Sequence, residues 1–203
     1  MINATFAYCK RINRFILKGC EINLNNIIET NNLLLRPTEF NDCRIFEGWE
    51  EKLYVKQYFT MDDWRDYEEI VTEFIERKLD TTKMQFTIIL KEINKPIGRV
   101  YISRFDRHED SADITRIYIG EENYLKKGYG CEAMRGLLKF FFEDLKLERV
   151  TLDFFEDNIR ARNLYESLGF KAEGVARHVS KKNNGYINLH VMSILSGEYF
   201  DCD

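Results

Sequence analysis

Apolar positions along this chain alternate between two periods. Ile117-Tyr118-Ile119 and Val150-Thr151-Leu152-Asp153-Phe154-Phe155 are β-branched and aromatic runs of strand length. Between them, Met134, Leu137, Leu138, Phe141 and Leu145 recur at helical spacing. After them, Ala161, Leu164, Tyr165 and Leu168 form one face at i, i+3, i+4 and i+7. Asn158 suits the N-cap of that helix, and Gly169 suits the left-handed position that ends it. Upstream, Thr38 is expected to cap a helix carrying Phe40, Cys43 and Phe46. Thr60 or Asp62 is expected to start another, with Tyr67, Ile70, Val71, Phe74 and Ile75 on its apolar face. Residues 86–90 and 97–102 read as strands joined through Asn94-Lys95-Pro96, with a further strand over 112–119. Asn184-Gly185 is a hairpin signal joining residues 175–179 to a strand over 186–195.

The order β, α, α, three strands, α, β, α, β, β predicts an α/β (α+β) chain. A single domain with a mixed, mostly antiparallel central sheet flanked by helices accommodates it. The domain is expected over residues 29–203. Residues 1–28 are polar with scattered Ile, Leu and Phe, and both an extra helix and a hairpin arm remain open for them.

The segment between the strand ending at Ile119 and the next helix reads Gly120-Glu121-Glu122-Asn123-Tyr124-Leu125-Lys126-Lys127-Gly128-Tyr129-Gly130-Cys131. It is a glycine-rich turn at a helix N-terminus, where the first N–H groups are unpaired and the dipole end is positive. Gly128 and Gly130 let a phosphate approach the backbone, and Lys126 and Lys127 add charge at the mouth. Gly128-Tyr129-Gly130-Cys131-Glu132-Ala133 also satisfies the G-x-G-x-x-G/A dinucleotide fingerprint, with Asp153 at roughly the spacing of a ribose-binding acid. That match falls late in the chain, with little room for further βαβ units.

Together the two segments are similar to the GNAT superfamily of acetyl-CoA-dependent N-acetyltransferases. Asn158, Ala161, Leu164, Tyr165, Glu166, Gly169 and Phe170 fit its N-x-x-A-x-x-L-Y-E-x-x-G-F motif, and residues 125–130 fit its glycine loop. Leu33-Leu34-Leu35-Arg36-Pro37 resembles the opening strand of the ribosomal-protein N-terminal acetyltransferase-like subgroup. Three positions depart from the pattern. Leu125 replaces the usual Arg or Gln, Lys126 the frequent Gly, and Cys131 the common Thr.

The resemblance implies acetyl-CoA as cosubstrate, held by Ile117, Tyr118, Ile119, Leu125, Lys126, Lys127, Gly128, Tyr129, Gly130, Cys131 and Asn158. It also implies that central strands splay and that the pantetheine arm pairs with Ile117 to Ile119. Tyr165 is then the proton donor to the departing sulfur, and a backbone N–H near Tyr118 polarises the carbonyl. For the base, Asp113 acting through water, an acid of the helical region such as Glu47, and an amine that binds neutral remain open. Arg116 stands where some relatives carry an acid. Glu47, Trp64, Arg116, Asn188 and His190 are the candidate acceptor residues, beside the aromatic Trp49, Tyr54 and Tyr58. The stretch from Tyr118 to Tyr124 looks like that of some aminoglycoside 6′-N-acetyltransferases, which makes an aminoglycoside an alternative acceptor. A non-catalytic acyl-CoA-binding protein is the alternative from another class.

Composition narrows the rest. At 203 residues, 44% of them apolar, the chain can bury one sizeable core. A net charge of −4 argues against a general nucleic-acid binder and favours cationic amines. No apolar run is long enough to span a bilayer, and Lys10, Arg11 and Arg14 are followed by no signal-peptide pattern. The five cysteines, Cys9, Cys20, Cys43, Cys131 and Cys202, are irregularly spaced, and neither they nor the three histidines form a metal signature. The expectation is a cytoplasmic enzyme without a metal, a monomer or homodimer, acting on a small-molecule or peptide amine.

Overall fold

The computed structural model describes residues 14–17, 20–23, 27–57, 65–182 and 185–200. Near the N-terminus, β1 (Arg14–Leu17) and β2 (Cys20–Asn23) pair antiparallel as a two-stranded ribbon. The remaining residues of 1–26, on which the expectation for the N-terminal extension also falls, lie outside the described residues. The main sheet has eight strands: β3 (Ile28–Glu29), β4 (Leu33–Pro37), β5 (Met84–Leu90), β6 (Lys95–Asp106), β7 (Ser111–Ile119), β8 (Arg149–Phe155), β9 (Lys171–Lys182) and β10 (Gly185–Leu195). Their order is β3-β4-β5-β6-β7-β8-β10-β9, and the β7–β8 pair alone is parallel.

Helices cover both faces. On one lie α4 (Tyr129–Lys139), which runs on through a π turn at Phe140–Asp144, and α5 (Ile159–Ser167). Met134, Leu137, Leu138 and Tyr165 from these helices join Leu35, Phe86, Ile88, Val100, Leu152 and Phe154 of the sheet in the larger core. On the other face lie α1 (Asp42–Glu50), the short α2 (Leu53–Lys56) and α3 (Tyr67–Leu79). Cys43, Phe46, Trp49, Ile70 and Phe74 form a second cluster there, with Tyr118 packed against it. β5 is buried along its whole length because both faces are covered. Its Phe86 and Ile88 face the larger core, while Gln85 donates to the Phe74 carbonyl at 3.0 Å and Thr87 to Asp42 at 2.8 Å. A last helix, α6, spans Ser196–Phe200.

Two helix starts differ from expectation. Thr38 does not cap α1. Its N–H bonds the Gln85 carbonyl, and its hydroxyl lies 3.2 Å from that of Thr87, whose own proton goes to Asp42. The entry to α1 is fixed by Asp42, which takes both Arg36 guanidinium nitrogens at 2.7 and 2.8 Å and the Glu39 N–H at 2.9 Å. α3 opens on a capping box between Asp66 and Glu69, whereas Thr60 and Asp62 lie outside the described residues.

Two irregularities in β7 shape the centre of the sheet. The register with β6 shifts between Tyr101↔Arg116 and Ile102↔Ile114, which leaves Thr115 as the extra residue of a bulge. Beyond the bulge the faces exchange. Ile117 and Ile119 join Ile114 on the α4/α5 side, while Tyr118 packs on the α1/α3 cluster. Pairing with β8 covers Ser111–Ile114 against Arg149–Leu152 and then stops. The end of β7 stays bonded to β6, and Asp153, Phe154 and Phe155 stay bonded to β10, so the two central strands part.

Candidate active site

The parted strands open beside the glycine loop. Gly128 is the N-cap of α4 at φ +85°, a conformation that favours glycine. The first helical bond runs from the Glu132 N–H to the Gly128 carbonyl at 3.0 Å. The N–H groups of Tyr129, Gly130 and Cys131 therefore precede the helical ladder and point out of its N-terminus. A Cβ built on Gly128 or Gly130 meets nothing within 4 Å, so the space above these amides is open. Such a cradle fits a diphosphate. Glu132 fixes it to the body of the protein, accepting from Thr30 at 2.6 Å, the Asn32 N–H at 2.6 Å and the Asn32 amide at 3.0 Å. Burial pushes the Glu132 carboxyl up, but these bonds outweigh it and hold its pKa below the usual range.

A groove of about 320 Å³ runs from this cradle along the end of β7 to Tyr165. Its walls are Ile117, Tyr118 and Ile119 of β7, Leu125, Lys126, Gly128, Tyr129, Gly130 and Cys131 of the loop and α4, and Asn158 and Tyr165 at α5. The structure thus brings these sequence candidates together around one space. Lys127 lies outside that wall, its ammonium 5.3 Å from the Tyr124 ring centre. Arg160, Tyr54 and Gln57 also line the groove. Tyr54 is fixed by a 2.7 Å bond to the Gly120 carbonyl, which Lys52 also reaches at 2.9 Å. Gly120 in turn has no room for a side chain, because a Cβ there would sit 2.1 Å from the Trp49 ring.

Asn158 caps α5 by accepting the Ala161 N–H at 3.1 Å, and among the described residues its side-chain NH2 has no partner. Tyr165 is 8% exposed, its ring packed on Phe154 and Phe170 at centroid distances of 5.6 and 5.9 Å. Its hydroxyl has no hydrogen-bond partner among the described residues. Burial, and then the Asp153 carboxylate, push its pKa up to about 12. Tyr165, Asn158 and Ile117 are shared with a second cavity of about 270 Å³ that occupies the gap itself, lined also by Thr115, Arg116, Asp153, Phe154, Phe155 and Leu189.

The candidates for base and acceptor binding scatter. Asp113 lies in the paired half of β7, where Arg104 and Thr151 bond it at 2.6 and 2.7 Å and Thr115 at 3.1 Å. It lines neither cavity. Glu47 pairs with Arg44 at 2.8 Å on the outer side of α1. The acid on the inner side is Glu50, four residues after Phe46, and it is 1% exposed. Glu50 accepts from Arg65 at 2.6 Å, Arg99 at 3.1 Å and Tyr118 at 3.2 Å, with Arg116 at 3.7 Å. Arg99 is fully buried, its guanidinium carbon 3.9 Å from the Phe46 ring centre and 4.0 Å from that of Tyr101. Glu73 completes the cluster with Arg65, Arg77 and Tyr101. Burial raises its pKa, but the surrounding arginines lower it further. Among the described candidates Glu47, Arg116, Asn188 and His190, Arg116 reaches a cavity. Asn188 is engaged with Glu156 at 3.0 Å and the His178 N–H at 3.0 Å. His190 stacks on Phe154 and contacts Arg162 at 2.9 Å, on the α5 side. Trp64 and Tyr58 lie outside the described residues.

Comparison with known proteins bears on the family and the fold. The acetyltransferase (GNAT) domain model matches residues 32–171. The chain is 26% identical over 173 residues to the uncharacterized N-acetyltransferase p20 of Bacillus licheniformis, covering 84% of this chain and 96% of that one. It is 24% identical over 171 residues to a spermidine N(1)-acetyltransferase of Vibrio cholerae, covering 84% and 97%. The crystal structure of a spermidine N-acetyltransferase from Vibrio cholerae with CoA and spermine aligns at a TM-score of 0.76 and 23% identity, covering 84% of this chain and 99% of that one. At that identity the likeness is one of fold.

Proposed function

Because the chain belongs to the GNAT acetyltransferase family, we propose that it moves the acetyl group of acetyl-CoA to a primary amine of a small cationic molecule, a polyamine first of all. The observation that carries the reading is the continuity of the glycine cradle, the open edge of β7 and the gap holding Tyr165. In this reading the diphosphate lies on the amides at the start of α4. The pantetheine arm lies along residues 115–119, beyond the end of the pairing with β8, and bonds the free NH2 of Asn158. Arg160, where the groove passes α5, adds a cation for the nucleotide end. Leu125 contributes apolar wall where relatives carry a polar side chain, so affinity rests on the backbone.

Transfer to nitrogen needs a donor for the departing sulfur. A phenol with a pKa near 12 keeps its proton throughout the neutral range. A free thiol has a pKa of about 8.5. Full proton transfer from Tyr165 to the thiolate is therefore uphill, and its role is hydrogen-bond donation as charge builds on sulfur. The amine enters from the opposite face of the sheet, between the gap and the α1/α3 cluster. The relatives named for spermidine support a cationic acceptor. The acids Glu50, Glu73 and Asp113 are already paired with arginines, so the cation is not held by them.

Thiol release from acetyl-CoA, measured across spermidine, spermine, small monoamines, an aminoglycoside and a peptide with a free N-terminus, tests this. Polyamines as the fastest acceptors are the expected outcome. Preference for the peptide would instead favour the ribosomal-protein N-terminal subgroup read from residues 33–37. CoA binding without turnover of any amine would leave an acyl-CoA-binding module.

A further inference from the structure

We propose that Asp153 is the proton acceptor for the attacking amine, working across the sheet from Tyr165. The inference rests on the acetyl-transfer reading above. Asp153 is the first residue of β8 beyond the last pair with β7, Ile114↔Leu152. Strand alternation puts Leu152 and Phe154 into the core under α5, and Thr151 on the opposite face, where it bonds Asp113. Asp153 shares the face of Thr151, from which the amine arrives, while Tyr165 reaches the same cavity from the α5 side.

Asp153 is also the carboxylate left available. Asp113 is engaged by Arg104, Thr115 and Thr151, and Glu50 and Glu73 are held by arginines. Among the described residues the Asp153 carboxylate has no hydrogen-bond or ion-pair partner. The charged and titratable groups around it are Asp113 and Arg116 of β7, Arg104 of β6 and Tyr165 of α5; on β10 it faces Val191 and, in the cavity, Leu189. It is open to water, yet the walls of the cleft, and then the Asp113 carboxylate, raise its pKa above the ordinary aspartate range. A raised carboxylate is a better proton acceptor.

The step balances. The neutral amine attacks the thioester carbonyl, the new N–C bond forms and the C–S bond breaks. The proton released by nitrogen passes to Asp153, directly or through one water, and from there to solvent. The sulfur leaves as a thiolate bonded to Tyr165 and takes a proton from water, giving amide and free thiol.

The test is the pH dependence of kcat at saturating spermidine, or the best amine of the panel, for wild type, Asp153→Asn, Asp153→Glu and Asp113→Asn. CoA affinity by calorimetry serves as the folding control. Asp153→Asn is expected to lose kcat by about 10²-fold or more, to lose the acid limb of the profile, and to bind CoA as wild type does. Asp153→Glu should keep the limb and part of the rate, and Asp113→Asn should keep the limb. Wild-type turnover with an Asp153→Asn enzyme that retains rate and limb overturns this proposal alone. An Asp153→Asn enzyme that no longer binds CoA, beside an Asp153→Glu enzyme whose limb has gone, overturns it as well. A wild type that acetylates no amine overturns the acetyl-transfer reading, and this inference with it.

Discussion

Tyr165→Phe separates a chemical role for this residue from a packing role. The substitution deletes one hydroxyl and keeps the ring against Phe154 and Phe170, 5.6 and 5.9 Å away. No described protein group donates to or accepts from that hydroxyl, so its removal leaves no partner unsatisfied. The change in stability should stay within about 0.5 kcal/mol, the range of substitutions that break no buried interaction. The hydroxyl borders both the groove and the gap, and in the reaction it is the donor assigned to the departing sulfur. Loss of a positioned hydrogen-bond donor to developing charge costs about 10²-fold, or ~2.7 kcal/mol of barrier. Thiol release is followed at saturating acetyl-CoA with a fast acceptor, beside the melting temperature and CoA affinity. The expected variant has kcat down about 100-fold and an unchanged CoA Kd, the signature of an interaction made in the transition state. A kcat within threefold (about 0.65 kcal/mol) of wild type, measured with a fast acceptor, refutes the donor role and leaves Tyr165 as core.

The cradle and the frame each make a further prediction. Gly128→Val puts a β-branched residue at φ +85° and a side chain into the open space above the amides; CoA affinity by calorimetry should fall at least tenfold, or ~1.4 kcal/mol. Lys126→Met removes only an exposed charge and should weaken binding by less than about fivefold. Asp42→Asn breaks the bidentate pair with Arg36 and should cost about 2–4 kcal/mol by denaturant titration. Burial pushes the Asp42 carboxyl up, but Arg36, the Glu39 N–H and Thr87 hold it below the usual value. Its contribution is therefore complete above the unfolded pKa of about 3.9 and is lost as pH falls through the folded pKa. Between neutral pH and pH ~3, wild type should lose more stability than Asp42→Asn does.

The cofactor side of the site was legible because its signals are local. Gly128 at positive φ, Asn158 as N-cap and Gly169 at φ +88° each declare a backbone state through residue type. The acceptor side was not legible, because it depends on phase. On α1, Glu47 and Glu50 differ by three residues, and only the packing of Phe46 and Trp49 decides that Glu50 turns inward. On β7, simple alternation from Asp113 puts Thr115 and Ile117 on its face. The bulge at Thr115 gives that face to Arg116 and Tyr118 instead, and a bulge leaves no residue signature here. Asp153 could be read as a strand residue, but not as the first one past the end of the β7 pairing, because register between distant strands is not written in either one.

The most direct measurement is backbone hydrogen exchange with and without CoA. Amides ahead of the helical ladder at the start of α4, and amides of β7 beyond its pairing with β8, report a ligand that settles on them. If the diphosphate lies on the cradle and the pantetheine arm on the β7 edge, CoA should slow exchange at residues 115–119 and 126–132 together, and NADH at the same concentration should not. Protection confined to other segments, or equal protection by NADH, would contradict the account.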